Sequence, residues 1–291
     1  MAAADSRKSP GKRATGKPLP HDSAHLHVSG TAAYTDDLPE PRDLLHLAVG
    51  MSSKAHARIR KLDLGDVLAA DGVIDVCSAG DIAGENNCGP IVHDEKIFND
   101  ELVEYAGQAI FAVAANTVDQ ARKAARLAVI EYEELEPILD PVDAVEKESF
   151  VLPSEKLQRG DVEAALADAP HRAQRRLDLG SQDQFYLEGH VAMAVPGEDD
   201  TLTVYSSTQH PDEVQHLIAA ATDRSAKDVV CTCRRMGGAF GGKESQAATI
   251  ATMAALMAVK TGRACKLRLD RDDDMIMTGK RHDVVIDYDV G

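Results

Sequence analysis

A glycine-rich segment in the last quarter of the chain has the residue types and spacing best suited to chemistry. It reads Arg-Arg-Met-Gly-Gly-Ala-Phe-Gly-Gly-Lys-Glu-Ser over residues 234–245, and we call it the glycine loop. A β-branched run over residues 229–232 precedes it and a helix-forming run over residues 247–260 follows, which predicts strand, loop and helix. Glycine permits close backbone approach and positive φ, and a helix N-terminus offers unpaired N–H groups. The pattern therefore predicts a site for an anionic or oxo ligand.

Two nucleotide-binding patterns come close to the glycine loop but fail. The Walker pattern fits from Gly237 to Lys243, but Glu244 stands where a magnesium-binding hydroxyl is required, and its carboxylate would repel phosphate oxygens. The dinucleotide fingerprint fails because Gly237 and Gly238 are adjacent. A turn that only lets strand and helix pack closely stays an alternative. Phe240 and Glu244 favour a ligand site, since both emerge from a loop with few other side chains.

Two motifs together resemble one known family. The segment MGGAFGGKES at residues 236–245 is similar to the molybdenum-cofactor loop of the xanthine dehydrogenase and aldehyde oxidase family. The sequence Glu188-Gly189-His190, followed by TVYSSTQHPDEVQ at residues 203–215, resembles the family's second conserved segment. The resemblance runs from about Ser23 to Gly291 and matches only the N-terminal part of the family's molybdenum subunit.

The resemblance implies an oxidoreductase. The expected function is that of part of a xanthine dehydrogenase molybdenum subunit, which hydroxylates xanthine and hypoxanthine in purine catabolism. It implies a molybdenum–molybdopterin cofactor shared with a chain carrying the rest of the molybdenum domain, and 2Fe-2S clusters and FAD on a partner subunit. The expected assembly is a dimer of hetero-oligomers. An aldehyde or other N-heterocycle hydroxylase and a non-catalytic scaffold remain alternatives, with a P-loop ATPase a distant third.

The resemblance also implies residue roles. Gln209 would donate its amide N–H to an oxo group on molybdenum, and the backbone N–H groups of Phe240 and Gly241, with Gly238 in the same loop, would approach the cofactor. Gln209 and Phe240 would thus lie beside the metal without ligating it. Glu244 would be the catalytic carboxylate that binds the purine. The alternatives are that Gln209 faces solvent, that Phe240 packs in the core and that Glu244 caps the following helix.

Other functional residues of the family, an arginine, stacking phenylalanines and a base glutamate, would lie beyond Gly291, so the chain alone is expected to be inactive. Lys243 is expected to be solvated or paired with a nearby acid. Arg234 and Arg235 could face pterin phosphate or make surface ion pairs. The acidic run over residues 270–274 lacks the EF-hand spacing, which favours a solvated turn.

Composition limits the class of protein. The 291 residues are 44% hydrophobic and 27% charged, as in globular proteins. The net charge of −16 argues against nucleic acid or an anionic membrane as partner. The longest near-apolar run, residues 247–259, is too short to span a bilayer. The five cysteines lack iron–sulfur or disulfide spacing, so Cys231 and Cys233 are expected to be buried free thiols in a reducing cytoplasm.

The element order predicts a mixed α/β fold. Residues 1–22 are interpreted as a disordered tail, 23–145 as an α/β domain similar to the family's hammerhead domain, 146–170 as a linker and 171–291 as the first part of a molybdenum-cofactor domain that another chain completes. Strands are predicted at 44–51, 73–77, 108–114, 127–132, 172–179, 190–195, 202–206, 229–233, 264–270 and 282–290. Helices are predicted at 64–70, 116–126, 161–167, from Pro211 onward and at 246–260. The last strand is expected to lack a partner within the chain, which suggests a split subunit or a fragment.

Overall fold

A computed structural model describes residues 16–291, so the first fifteen residues of the predicted tail lie outside the described part. The helices are α1 Ala24–Ser29, α2 Gly65–Leu68, α3 Val118–Ala125, α4 Pro141–Glu146, α5 Val162–Asp168, α6 Pro211–Ala221, α7 Gln246–Thr261 and α8 Arg271–Met277. The strands are β1 Leu45–Met51, β2 Ala57–Asp63, β3 Val73–Ser78, β4 Leu102–Val103, β5 Ala109–Ala115, β6 Val129–Glu134, β7 Ala173–Leu179, β8 Val191–Pro196, β9 Leu202–Ser206, β10 Val229–Thr232, β11 Cys265–Arg268 and β12 Val284–Val290.

A seven-stranded mixed sheet forms the centre of the molecule, with strand order β10-β9-β8-β11-β1-β5-β3. Strands β1 and β11 are parallel neighbours, and Leu45 pairs with Cys265. The sheet therefore combines strands from both predicted domains. The mixed α/β fold class is confirmed, while the boundaries at residues 145 and 171 stay predictions. A second sheet, of order β4-β2-β6, lies in the first part of the chain.

Packing explains the central elements. Every residue of β5 is buried, as expected for a continuous apolar strand inside a sheet. Helix α7 is buried over most of its length and packs against β8 and α6. It ends at Gly262, whose φ of 65° is left-handed, a conformation that glycine adopts without the usual steric cost. This helix fixes the position of the glycine loop that leads into it.

Helix α3 begins at a side-chain cap, which gives a test of the fold. The Thr117 hydroxyl accepts a hydrogen bond from the Gln120 N–H at 3.2 Å. We expect Thr117→Ala to lower the free energy of unfolding by about 1 kcal/mol, measured by urea denaturation. The preceding residue, Asn116, could also cap a helix by its type, but its side chain does not cap α3, so Asn116→Ala is the matched control. Equal losses of unfolding free energy in the two variants would contradict the assignment of Thr117 as the cap of α3.

Every predicted element has an observed counterpart with bounds within two residues. Two expectations about the fold are wrong. Strand β12 has a partner within the chain, because it pairs antiparallel with β7 from Val284–Leu179 to Val290–Ala173. The acidic run is not a solvated turn, because Asp270 caps α8 and Asp274 is buried. The elements that were not predicted are strands β2 and β4 and helices α1, α4 and α8.

Candidate cofactor-binding site

The glycine loop lies where two parallel strands end side by side. Strand β9 leads through Gln209 into α6, and its parallel neighbour β10 leads through the glycine loop into α7. Loops that follow the carboxyl ends of neighbouring parallel strands meet at one edge of the sheet, and this is where open α/β sheets bind ligands. The topology therefore brings Gln209 to the glycine loop, although about thirty residues separate them in sequence.

Gln209 is held by the backbone of the glycine loop. Its side-chain Oε1 accepts hydrogen bonds from the N–H groups of Gly241 at 3.1 Å and Lys243 at 3.3 Å. Its own N–H donates to the Lys243 carbonyl at 2.9 Å. Because two backbone donors fix the oxygen, the Nε2 amide group points away from them. Gln209 is solvent-exposed, and Nε2 has no hydrogen-bond partner within residues 16–291, so it is free to donate to a ligand.

Phe240 and its glycine neighbours form an exposed, left-handed turn. Phe240 has a φ of 55° and is 76% exposed, so the alternative of core packing is wrong. Its backbone N–H has no acceptor among the described residues. Gly241 has a φ of 90°, and a Cβ added there would meet no atom within 4 Å, whereas a Cβ on Gly238 would touch Phe240 and Tyr186 at 3.3 Å. Open space therefore lies in front of Gly241. We call this exposed side of the site, formed by Gln209, Phe240 and Gly241, the rim.

Glu244 stands at the end of the same turn with a free carboxylate. It is exposed, and within the described chain its side chain makes no hydrogen bond or ion pair. The helix-capping alternative is wrong, because the N-cap residue of α7 is Ser245 and no acid lies in its first turn. A cavity of about 770 Å³ adjoins this edge; it is lined by Gly241 and Ser245 on one side and by Tyr105 and Gln108 on the other.

Comparison with known protein families identifies the family of this chain. Residues 29–136 match a family model described as the aldehyde oxidase and xanthine dehydrogenase a/b hammerhead domain. Residues 144–291, which include the whole glycine loop, match the molybdopterin cofactor-binding domain. The chain belongs to the xanthine dehydrogenase and aldehyde oxidase family. The family predicted from the two motifs is thus confirmed.

Individual members of this family are similar over nearly the whole chain. Xanthine dehydrogenase of Calliphora vicina is 40% identical over 94% of this chain and 20% of its own length. Aldehyde oxidase 2 of Rattus norvegicus is 38% identical over 95% of this chain and 20% of its own. The structure of the aldehyde oxidoreductase from Desulfovibrio gigas superposes with a TM-score of 0.79 at 26% identity, covering 90% of this chain and 31% of that one. The chain spans about a fifth of the length of these curated relatives.

Sequence reasoning missed the buried charges beneath the glycine loop. Lys243 is fully buried, and its Nζ donates to Glu188 Oε2 at 3.2 Å and to Ser207 Oγ at 2.8 Å. Its ammonium also lies 4.7 Å from the centre of the Tyr186 ring. The expectation that Lys243 is either solvated or paired with an acid is resolved in favour of pairing. Burial lowers the pKa of Lys243, although the charge of Glu188 opposes this effect.

A second buried cluster supports the first. The Asp274 carboxylate accepts hydrogen bonds from the Tyr186 hydroxyl at 2.5 Å and from the His190 backbone N–H at 2.7 Å, and His190 Nδ1 lies 3.2 Å from it. Burial opposes ionisation, but the hydrogen bonds and charge of His190 outweigh it and lower the pKa of Asp274. Burial and the hydrogen bond to Asp274 raise the pKa of Tyr186. The only signal in the sequence was the acidic run over residues 270–274, because acidic residues are stabilising at the N-terminus of a helix.

The remaining candidates lie away from the open rim. Arg235 donates to the Ala33 carbonyl at 2.6 Å, so its guanidinium ties the glycine loop to the N-terminal segment. Cys231 and Cys233 are free thiols but only partly buried, and burial raises the pKa of Cys231 to about 12.

Within residues 16–291, no helix has the length and apolar content needed to cross a membrane.

Proposed function

We propose that this chain forms part of a molybdenum hydroxylase that oxidises xanthine and hypoxanthine. The observation that carries the proposal is the fixed side chain of Gln209, whose Oε1 is held by two N–H groups of the glycine loop and whose amide N–H group is left free. Molybdenum–molybdopterin, when bound, supplies the two-electron oxidation chemistry. The residues present fit that group, because the rim before Gly241 is open and the amide of Gln209 and the N–H of Phe240 offer hydrogen-bond donors beside it that no acceptor within residues 16–291 occupies.

Each residue at the rim would have a separate task. Gln209 would donate a hydrogen bond from Nε2 to an oxygen of the cofactor without adding charge. The backbone N–H of Phe240 would be a second donor. The Gly241 N–H is already bonded to Gln209, so Gly241 would act by orienting that side chain and by leaving space for the ligand. Donors fixed before the reaction stabilise developing charge without reorganisation.

Glu244 would select the substrate. A carboxylate without a protein partner can pair with ring N–H groups and oxygens of a purine, and an aldehyde offers no equivalent set of partners. The alternative, an aldehyde or other N-heterocycle hydroxylase, is supported by the similarity to aldehyde oxidase 2, whose 38% identity is close to the 40% of xanthine dehydrogenase. Glu244 favours the purine.

The remaining proposals concern assembly. We expect the molybdenum domain to be completed by a partner chain, and 2Fe-2S clusters and FAD on a partner subunit to receive the electrons, in a dimer of hetero-oligomers. A cytoplasmic location is supported by the five free thiols. Native mass spectrometry of the complex purified through this chain tests these proposals: companion subunits and one molybdenum pterin per copy are expected. A folded complex without molybdenum would favour the non-catalytic scaffold.

Substrate selection has its own test. In that complex, Glu244→Ala is expected to lower kcat/KM for xanthine by about 100-fold or more, because a site built to pair with polar groups loses that discrimination. The kcat/KM for a small aromatic aldehyde is expected to stay within about threefold. Glu198→Ala is the control, since Glu198 is exposed in the turn after β8. Equal losses on xanthine and aldehyde would rule out the purine assignment.

A further inference from the structure

We infer that the buried ion pair of Lys243 and Glu188 positions both ends of the glycine loop for cofactor binding. Lys243 lies at the end of the loop that leads into α7, and Glu188 belongs to the segment before β8. Neither side chain reaches the open rim, so both are positioning residues that act through Gln209 and the loop backbone. The inference rests on the proposed function.

Lys243 holds the C-terminal end of the glycine loop. Its Nζ donates to the Glu188 carbonyl at 2.7 Å, to Glu188 Oε2 at 3.2 Å and to Ser207 Oγ at 2.8 Å. The backbone of the same residue bonds Gln209 twice, through its N–H to Oε1 at 3.3 Å and through its carbonyl to the Gln209 N–H at 2.9 Å. A shift of the Lys243 backbone would therefore move the free amide of Gln209 directly.

Glu188 holds the N-terminal end of the loop through the same carboxylate. Its Oε2 accepts the Gly237 N–H at 2.9 Å and the Ser207 hydroxyl at 2.5 Å, while its N–H donates to the Gly237 carbonyl at 3.1 Å. A Cβ on Gly237 would lie 2.6 Å from the Glu188 Cβ, so the two backbones are in close contact. One ion pair thus connects the beginning of the loop, its end and the Gln209 segment.

The burial of this pair suggests a role in geometry. A lysine is almost never fully buried unless it is paired, and apolar replacements of buried ion pairs are often as stable as the pair itself. Stability therefore does not require charge here. A salt bridge with several hydrogen bonds does fix the relative orientation of the groups that it joins. The bonds of this pair connect the segments that carry Gln209, Phe240 and Gly241.

The test compares two buried lysines in the complex purified through this chain. Lys243→Met is expected to reduce bound molybdenum per folded complex by about tenfold or more, the effect of losing about 1.4 kcal/mol of cofactor affinity. Lys266→Met is the matched control, because Lys266 is also largely buried and paired, with Asp36 and Glu40 each at 2.8 Å, but it lies on β11 and its side chain makes no hydrogen bond to the glycine loop within the described residues. This control is expected to keep its molybdenum within about twofold of wild type, because in the described part of the chain the Lys266 side chain bonds only Asp36 and Glu40.

Additional measurements keep the outcome decisive. If Lys243→Met does not fold, the double variant Lys243→Met with Glu188→Gln, which buries no unpaired charge, takes its place and is again expected to lose molybdenum. In the milder Lys243→Arg variant, an altered electron paramagnetic resonance spectrum of the reduced, loaded fraction is expected. Wild-type molybdenum content in the folded variant, or an equal loss in Lys266→Met, would overturn the inference. Absence of molybdenum from the wild-type complex would instead overturn the proposed function.

Discussion

Replacing Asp274 with alanine is expected to lower the free energy of unfolding by about 3–5 kcal/mol, because each buried hydrogen-bond donor left without its acceptor costs about 1–3 kcal/mol. The substitution would leave the Tyr186 hydroxyl and two N–H groups of His190 without their acceptor. All three residues are buried, so water could not replace the lost bonds. Urea denaturation followed by circular dichroism measures the loss.

The neighbouring Asp272 provides the control for this prediction. It lies in the same first turn of α8 but is exposed, so Asp272→Ala should change the stability by no more than about 0.5 kcal/mol. The pH dependence gives a second readout. Because the folded-state pKa of Asp274 is lowered, its contribution is present at neutral pH and is lost as pH falls below about 4. An Asp274→Asn variant should therefore lose less stability than wild type on acidification. If the free energy of unfolding falls equally with pH in both proteins, the stabilising role of the Asp274 carboxylate is wrong.

Replacing Gly241 with alanine is expected to abolish most cofactor binding while leaving the fold largely intact. No atom lies within 4 Å of the new methyl group, so the cost to stability is only that of the left-handed backbone, about 1–2 kcal/mol. The methyl group would project into the space that the proposed ligand needs. We expect bound molybdenum in the purified complex to fall by about tenfold or more, as measured by elemental analysis.

A control at Gly262 distinguishes the effect of backbone strain from the effect of blocking the cofactor. It also has positive φ, at 65°, and open space around its Cβ position, but it ends α7 far along the chain from the rim. Gly262→Ala should therefore cause a similar loss of stability and no loss of molybdenum. If both variants lose the cofactor equally, strain explains the effect and the assignment of the rim is wrong. If neither loses it, the cofactor does not approach Gly241.

The sequence pattern predicted the buried elements of the fold but missed some of the exposed ones. Strand β5 and helix α7 were predicted because nearly every residue in them is buried and apolar. Strand β2 was missed because its sequence, ARIRKLD, carries exposed charges that pair with β6, as Arg60 and Lys61 do with Glu133 and Glu131. Pairing between β12 and β7 was missed because register depends on the partner strand and not on the strand's own pattern.

For the site, sequence identified the residues at the rim but not those beneath it. Gln209 and the glycine loop stood out through motif and residue type. The burial and the partners of Lys243, Glu188 and Asp274 were not predicted, because charged residues are expected at the surface and only the three-dimensional arrangement supplies their partners. The assignment of Glu244 and the domain boundaries stay predictions, as do the roles proposed for Gln209 and Phe240.

The pairing of β1 with β11 also determines the order in which this protein can fold. Leu45 leaves the ribosome about 220 residues before its partner Cys265. Until then, the central strands β1 and β8 each have an unpaired edge, which is a template for aggregation. Closing so long a loop carries an entropic cost before any contact is gained, and distant pairings fold slowly. Nascent chains are therefore expected to depend on chaperones until β11 inserts.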